Sequence, residues 1–219
     1  MKKIMLLTLM LVVITIVGYA TESKYQSAMK DNISKVYSAE NLDEFQQVIN
    51  TFDRIAQNET DKWEPLYYAA FGYIMMSNNS KENVTRDRYL DLALEKVKSG
   101  LQLVPQEDEL IALEGFIHMM RLSIDPATRG QQYAGLSMQQ LNKAVALDPK
   151  NPRALYLLAQ MEMGTARFFG NDTSAACEKL QKSIDLFSEQ NDENPLAPKW
   201  GEGSAKSAYQ QCQTSESSN

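Results

Sequence analysis

Residues 152–163 read PRALYLLAQMEM, a proline followed by Leu155, Leu158 and Ala159 at helical spacing, with Tyr156, Gln160 and Met163 on a neighbouring stripe. The same order of events recurs upstream at a period of about 44 residues, in segments starting at Trp63 and Leu110. An aromatic or aliphatic position opens each segment (Leu66, Ile111, Leu155), and a small residue follows where two helices must touch (Ala69 with Ala70, Gly115, Ala159). A second amphipathic stretch completes each unit, ending at Pro105 after Gly100–Val104 and at Pro149 after Ala144–Asp148. Self-similarity at such a period means stacked helical hairpins, none of which can bury its apolar face alone.

Apolar periodicity predicts helices near 22–38, 42–57, 63–78, 85–103, 107–122, 129–147, 151–167, 173–189 and 202–213, with almost no strand signal. Breakers fall where hairpins need them: Asn78 to Ser80, Pro149 with Pro152, and Pro195 with Pro198 before the last helix. The stretch Asp125 to Gly130 reads as a turn, its Pro126 and Gly130 being sufficient reason. The segment Arg167 to Thr173 reads as a turn, with a ligand-binding loop as the alternative, and in the turn reading Phe168 and Phe169 are expected to plug the space between hairpins. Gly170 is expected to stop the helix in a left-handed conformation, and Asp172 or Thr173 to cap the next.

Ahead of the repeats, Lys2 and Lys3 precede an apolar run from Ile4 to Val17 and then Gly18, Tyr19 and Ala20. The run is short for a bilayer span, and small residues stand one and three positions before a cut after Ala20. The expectation is therefore a cleaved signal peptide over residues 1–20, a single repeat domain over 21–213, a flexible tail over 214–219, and a periplasmic or secreted location. An uncleaved N-terminal anchor helix is the alternative.

Without its first 20 residues the chain carries 20 basic against 28 acidic side chains, a net charge of −8. That balance argues against nucleic acid and against anionic membrane surfaces, both of which need a cationic footprint, so no stable membrane insertion is expected after signal cleavage. Cys177 opens one predicted helix and Cys212 closes the next, so antiparallel packing brings them together, and an oxidising compartment favours a disulfide. Trp200 is expected at the base of the capping helix that this bridge would pin. Two separate thiols are the alternative.

These features resemble the tetratricopeptide repeat (TPR), with Leu155, Leu158, Ala159, Leu180 and Ile184 at its signature places and Asp148–Pro149 as the repeat-ending pair. The period exceeds the standard 34 residues, and Glu114, His118 and Glu162 stand where that pattern carries apolar or aromatic residues. From Trp63 to Cys212 the chain also resembles small secreted TPR-like proteins of Bacteroidota. The residues that carry this are Gly164 to Gly170, Asp172, Thr173, Cys177, Pro198, Trp200, Gly201 and Cys212. The resemblance implies an exported all-α protein: a TPR-like α-solenoid of about four helical hairpins plus a C-terminal capping helix.

Catalytic and cofactor signals are poor. The one histidine, His118, lies in a mostly apolar helix with no second histidine, metal-ligand motif or phosphate loop beside it, and reads as packed. Glu107, Asp108 and Glu109 read as helix-dipole partners. No enzyme activity, cofactor or metal is expected. In stacked hairpins the first helix of each unit lines the inner wall, whose positions here are Tyr67, Phe71 and Met75, then Phe116, Met119 and Met120, then Tyr156, Gln160 and Met163. The lysines and asparagines of a carboxylate clamp are missing from it. Flexible thioethers and flat rings suit an adaptable apolar groove, so the expected function is a scaffold binding a protein or peptide partner. The alternatives are a soluble component holding an apolar small ligand for an envelope transport system, and ordinary core packing of the same side chains.

Overall fold

The computed structural model describes residues 24–190 and 194–216. The signal segment expected at 1–20 lies outside the described residues. Helix α1 covers 24–38. It is followed by α2 (Leu42–Asn58), α3 (Glu64–Asn79), α4 (Asn83–Leu103), α5 (Asp108–Ile124), α6 (Pro126–Leu147), α7 (Pro152–Phe169), α8 (Ser174–Glu189) and α9 (Glu202–Glu216). There is no strand among the described residues. Helices α3, α5 and α7 begin at Glu64, Asp108 and Pro152, a repeat of 44 residues.

Local chemistry sets the boundaries. The Asn41 side chain accepts the Glu44 N–H, and the Asn151 side chain accepts the Ala154 N–H with Pro152 as the first helical residue. Gly170, at φ 69°, ends α7 in the left-handed conformation expected of it. Two expectations fail. Asp125 to Gly130 is not a free turn: Asp125 caps α6 by accepting the Thr128 N–H, and Pro126 starts the helix because its missing N–H would have had no partner there. Phe168 and Phe169 plug nothing, for they stand 83% and 69% exposed beyond the last packed turn of α7.

Each helix packs on its sequence neighbours. In addition α3 packs on α5, α5 on α7, and α7 on α9, whereas among the described residues α4 and α6 reach past their sequence neighbours through ion pairs, Lys96 with Asp53 of α2 and Arg129 of α6 with Asp87 of α4. Such a pattern curves the stack with the first helix of each hairpin inside, as in tetratricopeptide solenoids. The small residues do what the repeat requires of them: Ala69, Ala70, Ala159 and Gly115 are buried, and a Cβ on Gly115 would come within 2.6 Å of Leu141 Cγ. Helix α9 continues the inner row by packing on α7, and the Cys177–Cys212 disulfide ties it to α8. No helix among the described residues is long and apolar enough to cross a membrane.

Candidate functional site

The inner wall is built from α3, α5 and α7, and its two ends differ. At the N-terminal ends of these helices it is covered by the chain itself. Before α9 the chain turns at residues 194–197, where the Ala197 N–H donates to the Asn194 carbonyl at 3.1 Å, and the wall together with Tyr37 of α1 grips the main chain that follows. The Tyr68 hydroxyl donates to the Leu196 carbonyl at 2.8 Å, the Arg153 guanidinium donates to the Pro198 carbonyl at 2.9 Å, and the Lys199 N–H donates to the Tyr37 hydroxyl at 3.0 Å. Trp200 then lies stacked on both Phe71 and Phe116, with ring centroids 5.5 and 5.4 Å apart, and its indole N–H donates to the Tyr67 hydroxyl at 2.8 Å. Trp200 thus reaches further than the base of α9, joining the two main core clusters through the wall. Gly201 permits the turn that follows: its φ is 107°, and a Cβ there would meet Phe187 at 2.9 Å.

Beneath this segment sits a buried polar group. Arg153 is 2% exposed. Its Nε and Nη2 donate to Glu109 Oε1 at 2.9 and 2.6 Å, Nη1 reaches Gln190, and the guanidinium lies 5.7 Å from the Phe187 ring centre. Burial opposes the charge on Arg153, but the Glu109 carboxylate more than offsets it and holds the guanidinium above its ordinary pKa. Burial in the same cluster raises the Tyr67 hydroxyl well above its usual range, so it is a neutral donor and acceptor. Close by, Glu107 is pushed up to about 7, first by burial and then by the neighbouring Asp108 carboxylate.

Of the expected wall residues, Tyr67, Phe71, Tyr156 and Met163 are buried, while Met75, Phe116, Met119, Met120 and Gln160 keep part of their surface open. The gradient runs one way along α3 and α5, and on α7 it is interrupted at Met163, which is buried against Cys212 of α9. Along α3 the wall passes from buried Tyr67 and Phe71 to half-buried Met75 and exposed Asn78. Along α5 it passes from buried Ala112 to half-buried Phe116, Met119 and Met120 and exposed Ser123. Along α7 it passes from buried Tyr156 to half-buried Gln160 and exposed Gly164. The wall is closed at one end and open at the other.

His118 lies on a different face of α5. It is buried against Tyr133 with ring centroids 6.0 Å apart, Nε2 is 3.8 Å from Glu114, and Nδ1 has no hydrogen-bond partner among the described residues. Sequence reasoning missed the role of Leu196, Pro198 and Trp200 as the cover of the wall. It also missed the Glu109–Arg153 pair, although both residues hold the second position of their helices, one period apart.

No family model and no curated protein matches the chain. Among solved structures, the HusA haemophore from Porphyromonas gingivalis matches with a TM-score of 0.78 at 27% identity, covering 87% of this chain and 94% of that one. A MamA double mutant (TM-score 0.44, 16% identity, 75% and 78% covered) and a thermophilic TPR protein in Thermus thermophilus (0.41, 13%, 87% and 99%) are more distant and carry no weight here. The chain is a TPR-like α-solenoid that resembles, over most of its length, a haemophore of the Bacteroidota.

Proposed function

We propose that this protein is a non-enzymatic, exported binding protein that carries a flat, apolar ligand of the haem class at the open end of its inner wall. The observation that carries the reading is the likeness to the HusA haemophore, which extends over 87% of the chain. The wall's chemistry supports it, because half-buried Met75, Phe116, Met119 and Met120 with Gln160 at the edge offer an apolar, polarisable surface. The bridged cysteines support export to an oxidising compartment. The experiment is a difference-absorption titration of haemin into the protein lacking residues 1–20. The reading expects a saturable shift of the haemin band with a whole-number stoichiometry, and non-saturable behaviour indistinguishable from that with an unrelated helical protein would end it.

A peptide partner remains the second reading, favoured by one observation. The closed end of the wall already holds a peptide segment, the chain's own Leu196 to Trp200, through main-chain hydrogen bonds. Capture of an envelope protein by the wild type, and its loss on replacing Phe116 without loss of fold, would favour that reading.

A further inference from the structure

Positions 156, 160, 164, 167 and 168 of α7 fall on one side of the helix by its 3.6-residue period. That side starts buried at Tyr156, is half-buried at Gln160, and is exposed at Gly164, Arg167 and Phe168. Three features make its exposed end unusual. Phe168 and Phe169 form an edge-to-face pair, centroids 5.0 Å apart and planes at 88°, yet both rings stand in solvent. Such an arrangement leaves a ring face free for stacking. Gly164, one turn before Phe168, has no atom within 4 Å of where a Cβ would lie, so a flat floor adjoins the rings.

Arg167 is exposed and makes no ion pair or side-chain hydrogen bond among the described residues. The two acids nearest it in sequence are already engaged: Glu162 accepts from the Lys179 ammonium, and Asp172 accepts the Ser174 N–H and hydroxyl at 3.2 and 2.8 Å. The corner is also held in place, because the Gly170 and Asn171 N–H groups close α7 on the Arg167 and Ala166 carbonyls.

We propose that this corner is a ligand platform for a flat conjugated ring system bearing carboxylates, with the ring plane on Phe168 beside Gly164, Phe169 meeting Phe168 edge to face, and a carboxylate on Arg167. The proposal rests on the haem-class reading and deepens it by assigning the contacts. An open floor with a single free cation matches a planar anion, since one guanidinium can pair a carboxylate while the Phe168 ring covers the plane.

The test repeats the haemin titration on Arg167→Gln, Phe168→Ala and Gly164→Leu. Each is expected to weaken haemin binding about tenfold. Gly164→Leu is the variant that separates binding from folding: it fills empty space with a better helix former, so its melting temperature should hold or rise while its affinity falls. Wild-type protein that fails to bind haemin overturns both this assignment and the haem-class reading. Wild-type binding with all three variants within about twofold of it overturns this assignment alone and places the ligand elsewhere.

Discussion

Arg153 follows Glu109 by one repeat period, and the two side chains meet in a buried ion pair that also holds the Pro198 carbonyl. One side chain thereby links α5, α7 and the segment leading into α9. Replacing Arg153 with Met leaves Glu109 buried without its cation, a change that costs about 3 to 5 kcal/mol. Replacing both, as Glu109→Leu with Arg153→Met, should recover much of that loss, because the desolvation penalty of both charges disappears as well. Urea unfolding of the three variants checks this, and a single-variant loss below about 1 kcal/mol would show that the pair is better hydrated than its burial indicates.

Trp200 is stacked on Phe71 and Phe116 and bonded to Tyr67, so its removal empties the closed end of the wall. Trp200→Ala should destabilise the fold by about 3 kcal/mol and raise the binding of an apolar dye to the exposed rings. Unchanged dye binding with unchanged stability would mean that the segment covers the wall only loosely.

The Cys177–Cys212 disulfide closes a loop across 35 residues and ties on α9, whose buried face is little more than Ala205, Ala208 and Cys212. So thin a stripe docks weakly unaided. Cys212→Ser should lose roughly 3 to 4 kcal/mol on the chain-entropy account, and limited proteolysis should then cut after Pro195 and leave the central hairpins intact. Cleavage no faster than in the wild type would contradict that role.

The repeat was legible because packing demands recur: Ala69, Gly115 and Ala159 mark helix crossings at fixed spacing, and Asn151–Pro152 marks a helix start. Every helix among the described residues lies within a few residues of the span its periodicity predicts, the widest differences being the end of α9 at Glu216 and the start of α6, where Pro126 begins a helix instead of breaking one. The cover over the wall was not legible. Nothing in the local pattern of Leu196 to Trp200 says which surface this proline-containing segment lies on, because its partners Tyr37, Tyr68 and Phe71 are more than 120 residues away. The periodicity of α7 likewise could not show that its last turn outruns the neighbouring hairpin, so Phe168 and Phe169 read as core. Tyr67 and Phe71 were placed on the inner wall by spacing alone, but their burial there depends on Trp200.

Glu107 sets a pH dependence. Its folded pKa, about 7, lies above the ordinary carboxyl value of 4.5. The folded state therefore holds a proton that the unfolded state releases, and this contribution to stability is lost as pH rises from about 4.5 to about 7. Glu107→Gln should lack that component, so the variant gains relative to the wild type across the interval and keeps a constant advantage above it. Parallel stability curves for the two proteins from pH 4 to 8 would refute the assignment.

The central claim, that the wall is closed at one end by Trp200 and receives a haem-class ligand at the other, is tested most directly by hydrogen exchange with and without haemin. The account predicts haemin-dependent protection in peptides covering the C-terminal halves of α5 and α7, including Met119, Gln160 and Gly164 to Phe169, with the segment around Trp200 equally protected in both states. Protection confined to other helices, or release of the Trp200 segment on ligand addition, would contradict it.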